Sequence, residues 1–207
     1  MITDHHLENS RSQRVLWMLE ELGLPYAIKR YERNKKTMLA PPELRQVHPL
    51  GKSPVIDDDG LVIAETGAIA EYLVEKADGR LGAPAHRDSA LRYRFWLHYA
   101  EGSMMPPLLL KLVLARIPLF GKAALKRIQP MIDVHLDYVE GELAQRPWFA
   151  GEEMTAADIM MSFPLEAARS RAGLDASRPA TIAWLGKVHA RPAYQAALAK
   201  GGPYAYA

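Results

Sequence analysis

A chain of 207 residues has room for one large domain or two small ones, and a formal net charge of +2 gives no electrostatic argument for a nucleic-acid partner. The absence of cysteine excludes a disulfide framework, a Cys-ligated zinc site and a Cys nucleophile. MITDHHLENSRSQ is charged where a secretory leader needs an apolar stretch, and PPLLLKLVLARIPLF, the most apolar region, is broken by Lys111 and Arg116, short of the ~20 apolar residues that span a bilayer. A cytoplasmic protein with neither membrane nor nucleic-acid partners is expected.

In chain order, MITDHHL is a short predicted strand that Asp4 weakens. Val15, Leu16, Leu19 and Leu22 then recur at helical spacing, with Gly23 as the stop, and YAIKRYE is the next strand. A polar stretch with room for a short helix leads to GKSPVID, where Pro54 stands at a strand entry although proline brings no N–H to a sheet. VID and LVIA flank DDG, a hairpin signal because Asp and Gly tolerate positive φ. ETGAIAEYLVEKA is a helix with Ala68, Ile69, Tyr72 and Leu73 on one face, ended by Asp78 and Gly79.

Beyond about Ala85 only helical patterns remain: 88–114, interrupted by Pro106 and Pro107, then 122–145, 156–172 and 180–200. The expected fold is α/β over 1–79 and all-α over 85–207, the boundary falling in DGRLGAPAH. Thr155 and Asp158 have capping-box spacing and are assigned to folding. His5 and His6 are adjacent on a strand and point to opposite faces, so they do not share a metal ion; structural or surface roles are expected. Met104 and Met105 suit either a core or an adaptable apolar pocket.

Three stretches carry chemistry. In NSRSQRVLWMLEELGLPY, Ser10 opens a helix with Gln13 at capping-box spacing, so it either caps that helix or presents a hydroxyl to an anion at the helix N-terminus. The second is GKSPVI, and the third is AETGAI, where Glu65 and Thr66 open the next helix.

These motifs, in this order, resemble the cytosolic glutathione S-transferases, and the resemblance covers essentially the whole chain. It implies a thioredoxin-like N-terminal domain with a cis bond before Pro54, a helical domain that contributes the electrophile pocket, and a homodimer. Nothing is bound permanently; glutathione is a cosubstrate. By the same resemblance Ser53 pairs with the cysteinyl unit through its backbone, and Glu65 and Thr66 hold the γ-glutamyl end. Lys52, His48 or Arg11 meets the glycyl carboxylate. Ser10 matches the thiol-activating serine of theta-like members, with Asn9 and Arg11 as alternatives. Tyrosine-type branches are disfavoured, since the first tyrosine is Tyr26, and cysteine-type branches are excluded. The implied reaction is conjugation of the glutathione thiolate to a small hydrophobic electrophile. Alternatives are a glutathione-dependent isomerase or peroxidase, or a non-catalytic binding or assembly module on the same fold.

Overall fold

The computed structural model describes residues 1–117 and 121–207. They form two compact units, Met1–Gly82 with His189–Ala205 and Ala207, and Ala83–Val188 with Tyr206. The last three residues of the apolar stretch singled out above lie outside the described residues. No described helix is long and apolar enough to cross a membrane.

The first unit runs β1 (Ile2–Leu7), α1 (Ser12–Leu22), β2 (Tyr26–Tyr31), α2 (Leu44–Val47), β3 (Val55–Asp58), β4 (Leu61–Ala64) and α3 (Thr66–Lys76). The sheet order is β2-β1-β3-β4. β1 and β2 are parallel, as a crossover through α1 requires, and β1, β3 and β4 are successively antiparallel. Asp59 and Gly60 take φ values of 52° and 95°, the paired left-handed residues of a tight hairpin. Gly23 ends α1 at φ 60°, the left-handed stop its position predicts. Leu44, the one buried residue of α2, packs with Leu7 and Tyr31 and so fixes the segment that leads to Gly51 and Ser53. On α3 the buried residues are Thr66, Ile69, Ala70 and Leu73. The apolar stripe therefore includes Ala70, not Ala68, which is exposed.

The unit is completed by α9 (Pro192–Gly201). Trp17 of α1 meets the edge of Tyr194 at 5.4 Å, Arg191 pairs with Glu21, and Lys200 pairs with Glu20. A Cβ on Gly201 would come within 2.7 Å of Gln13 Oε1, so glycine lets the two helices approach this closely. Two expectations differ here. The chain from 85 to 207 is not one packing unit, because His189–Ala205 packs with the first. The single helix expected over 180–200 is α8 (Pro179–His189) and α9. Pro192 disfavours helical backbone at Arg191, which is extended at ψ 133°.

The second unit contains α4 (Arg87–Tyr99), a π-helical turn (Ala100–Met104), α5 (Met105–Leu114), α6 (Gly121–Leu143), α7 (Ala156–Arg171) and α8. Pro106 and Pro107 do not stop the helical path. They fall in the first turn of α5, where backbone N–H groups are least needed, directly after the wider π turn. Met104 and Met105 are buried and belong to the core. Trp96 stacks on Tyr138 at 5.4 Å and lies 4.5 Å from the Phe149 ring.

The predicted capping box forms at the start of α7. Asp158 Oδ2 accepts the Thr155 N–H at 2.8 Å and its hydroxyl at 3.0 Å, and Oδ1 accepts the Phe149 N–H at 3.0 Å. Burial outweighs these donors and pushes the carboxyl up to about 6. Asp158→Ala orphans two buried backbone donors at about 1–3 kcal/mol each. A fall in stability of roughly 2–4 kcal/mol by thermal or urea unfolding is the expected result.

Candidate functional site at the end of strand β1

The sequence candidates gather around the end of β1. Ser10 is buried just ahead of α1. Its Oγ accepts the Ser12 N–H at 3.2 Å and lies 2.9 Å from the Ser12 Oγ. The capping box with Gln13 does not form. Arg11 holds the N-cap position and its side chain does not cap the helix, and the Gln13 amide is buried with no hydrogen-bond partner among the described residues. Ser10 thus satisfies one exposed donor of the helix start by a different route from the one its spacing suggests.

Ser53 sits on the neighbouring segment. The Ser53–Pro54 peptide is cis. The Ser53 Oγ donates to the His5 carbonyl at 3.1 Å, which ties this segment to β1. Its backbone N–H and C=O have no hydrogen bond among the described residues. A peptide unit with both groups open, beside a sheet, is the pattern that receives an extended ligand by strand-like pairing.

Thr66 is buried at the first position of α3, and Glu65 precedes it, exposed, at φ 73° and ψ 123°. Arg14, buried on α1, donates to the Thr66 Oγ1 at 3.3 Å. That contact fixes the threonine hydroxyl as an acceptor on one side and leaves its own proton for an anion on the other. It also links the starts of α1 and α3.

The remaining candidates are placed less directly. Asn9 lies at φ 49°, and its Oδ1 accepts the Ala205 N–H at 2.7 Å, so its side chain holds the C-terminal segment. Arg11 is half-buried. Lys52 is exposed, and His48 closes α2 with its Nδ1 accepting the Leu50 N–H at 3.4 Å. No hydrogen bond among the described residues joins Lys52 or His48 to Ser10, Ser53 or Thr66.

Neither His5 nor His6 is at the surface. His5 Nδ1 lies 2.8 Å from the Tyr31 hydroxyl, and His6 Nδ1 lies 2.8 Å from the Ser12 Oγ. They face different partners on opposite sides of β1, as strand alternation demands. Among the described residues no group of three or more His, Asp or Glu side chains is placed to hold a metal. Arg14 and Ser12, which bond Thr66 and Ser10, and His6, which bonds Ser12, are not among the sequence candidates for the site. A charged residue one step from Val15 and three from Trp17, on a helix otherwise apolar there, was the available sign for Arg14.

Residues 10–76 match the family model for the glutathione S-transferase N-terminal domain, and residues 104–192 match that for its C-terminal domain. The chain belongs to the glutathione S-transferase family. It is 41% identical to glutathione S-transferase 3 of Schizosaccharomyces pombe over 184 residues, 82% of this chain and 75% of the relative. A crystal structure of a glutathione S-transferase from Actinobacillus pleuropneumoniae, 36% identical, matches with a TM-score of 0.88 over 97% of this chain and 93% of its own. A glutathione transferase family member from Pseudomonas fluorescens, 28% identical, matches with a TM-score of 0.80 over 95% and 92%, and was solved with two glutathione molecules bound. The thioredoxin-like first unit and the helical second are thus those of this transferase family.

In this transferase the backbone at Glu65 separates two effects. A left-handed φ on a residue with a Cβ costs of order 1–3 kcal/mol, and glycine escapes that cost. Glu65→Gly should therefore unfold at a higher temperature than Glu65→Ala, by the equivalent of about 1 kcal/mol, although both lack the carboxylate. Equal melting temperatures would contradict the strain.

Proposed function

We propose that this protein is a glutathione transferase in which Ser10 stabilises the thiolate of glutathione for attack on a small hydrophobic electrophile. The observation that carries the reading is the buried Ser10 hydroxyl at the start of α1, close in the fold to the open Ser53 peptide and to the Arg14–Thr66 pair. Ser53 pairs with the cysteinyl backbone through its free N–H and C=O. Thr66 and the N-terminus of α3 take the γ-glutamyl α-carboxylate, and the Glu65 carboxylate takes the α-ammonium. Lys52 supplies the charge for the glycyl carboxylate, with His48 and Arg11 as the alternatives.

The magnitudes are sufficient. A free thiol has a pKa of about 8.5, and lowering it by ~2 units needs ~2.7 kcal/mol of preference for the anion. A helix N-terminus gives about 0.3–1 kcal/mol when exposed and up to ~2 when partly buried. A hydrogen bond to a charged acceptor gives about 1.5–3 kcal/mol. Together the two reach the requirement, and the hydroxyl carries the larger share.

Calorimetric titration with glutathione is the direct test, and absence of binding would remove this reading. Ser10→Ala should still bind glutathione, while the pKa of the bound thiol, read from thiolate absorbance, rises by ~1–2 units and turnover at neutral pH falls in proportion. An unchanged thiol pKa with a lowered melting temperature would leave Ser10 as a cap alone.

We also propose that the protein is a homodimer. On α4, Tyr93 and Trp96 are buried, whereas their neighbours form an exposed apolar surface. Leu91 and Phe95 of α4 and Met131, Val134 and Tyr138 of α6 are exposed, and the Phe95 and Tyr138 rings lie 6.1 Å apart on one surface. Light scattering should give twice the chain mass, and Val134→Asp should shift it towards the monomer.

A further inference from the structure

Ser10 is one end of a buried polar chain. Its Oγ lies 2.9 Å from the Ser12 Oγ, which lies 2.8 Å from His6 Nδ1 on β1. Ser12 Oγ also accepts the Leu7 N–H at 3.2 Å and lies 3.2 Å from the Leu7 carbonyl oxygen. Behind the imidazole, Asp4 Oδ2 is 3.9 Å from the same Nδ1, and both oxygens of this fully buried carboxyl lack a hydrogen-bond donor.

A hydroxyl offers one proton and two lone pairs, so the direction of this chain can be counted. If His6 Nδ1 were an acceptor, Ser12 would give it its proton and keep a free lone pair facing Ser10. The Ser10 proton would then be drawn to Ser12 and away from a ligand. If Nδ1 carries the proton, the Leu7 and His6 N–H groups fill both Ser12 lone pairs, and the Ser12 proton goes to the Ser10 Oγ at 2.9 Å, a nearer acceptor than the Leu7 carbonyl at 3.2 Å. The Ser12 N–H already occupies the other Ser10 lone pair. Ser10 is then saturated as an acceptor, and its own proton has no taker inside this chain.

We propose that His6 and Ser12 are positioning residues for the thiolate: His6 Nδ1–H donates to Ser12, Ser12 donates to Ser10, and the Ser10 proton is left for the glutathione sulfur. The inference rests on the reading of Ser10 given above. The surroundings of the ring select this direction, because among the described residues Nε2 has no hydrogen-bond partner, and a proton there would be buried without an acceptor, whereas a proton on Nδ1 has the Ser12 Oγ at 2.8 Å. Burial, aided by Arg30 of β2, pulls His6 down to about 4, so the ring holds one proton and the choice of nitrogen decides the chain. Donors in series also polarise one another, which strengthens the last bond to a charged acceptor.

The nitrogen chemical shifts of the His6 ring in the unliganded wild-type protein report its tautomer without any variant. The Nδ1–H form is expected, and the Nε2–H form would overturn the proposal. His6→Leu should then raise the pKa of bound glutathione by about half a unit, part of the ~1–2 units that Ser10 supplies. His6→Asn, whose amide can donate from the Nδ1 position, should restore most of the shift. In the Ser10→Ala background His6→Leu should add nothing, because His6 acts through Ser10. If Ser10→Ala raises the thiol pKa and His6→Leu does not, this inference fails and the Ser10 reading stands. If Ser10→Ala leaves the pKa unchanged, the reading beneath it has failed.

Discussion

β1 is the strand on which the first unit depends. It is flanked by β2 on one edge and β3 on the other, and Asp4, His5 and His6 are all buried. A central strand cannot send its polar side chains to water, so each must find a partner within the fold or stay unpaired at a cost. His5 meets Tyr31, His6 meets Ser12, and the His5 carbonyl holds Ser53. The groups proposed to meet glutathione are therefore arranged by the partners that this strand recruits. Only Asp4 lacks a donor, and its burial pushes its carboxyl well above the usual range.

What was legible in the sequence was local. The Asp59–Gly60 turn, the Gly23 stop and the Thr155–Asp158 box each depend on residues a few positions apart, and each appears as read. The alternation of β1 sends His5 and His6 to opposite sides as read, but their partners come from β2 and α1 and carry no local sign. Ser10 and Gln13 show the opposite failure: the spacing is right for a box, yet Gln13 is turned into the packing against α9, where Gly201 approaches it. Periodicity likewise gave α9 as a helix without saying which unit it covers, because an apolar face does not name its partner.

The two helix starts in question illustrate how position redirects the same chemistry. α7 begins with an acidic residue that binds its own first-turn donors. α1 has no acid in its first turn, and its opening residues include Arg11 and Arg14. Its positive end is thus not neutralised by its own first-turn side chains, the electrostatic setting in which an anion is stabilised. One start is closed for folding, whereas the other is compatible with a charged ligand.

The packing of α9 on α1 also sets an order of events for a newly made chain. At roughly 5–20 residues per second a ribosome needs several seconds to add the whole helical unit before α9 emerges. Until then the face of α1 that carries Trp17 lacks its cover, and the sheet unit, first to be synthesised, cannot be the first to be finished. Its completion waits on translation of α9, which follows the helical unit in the sequence.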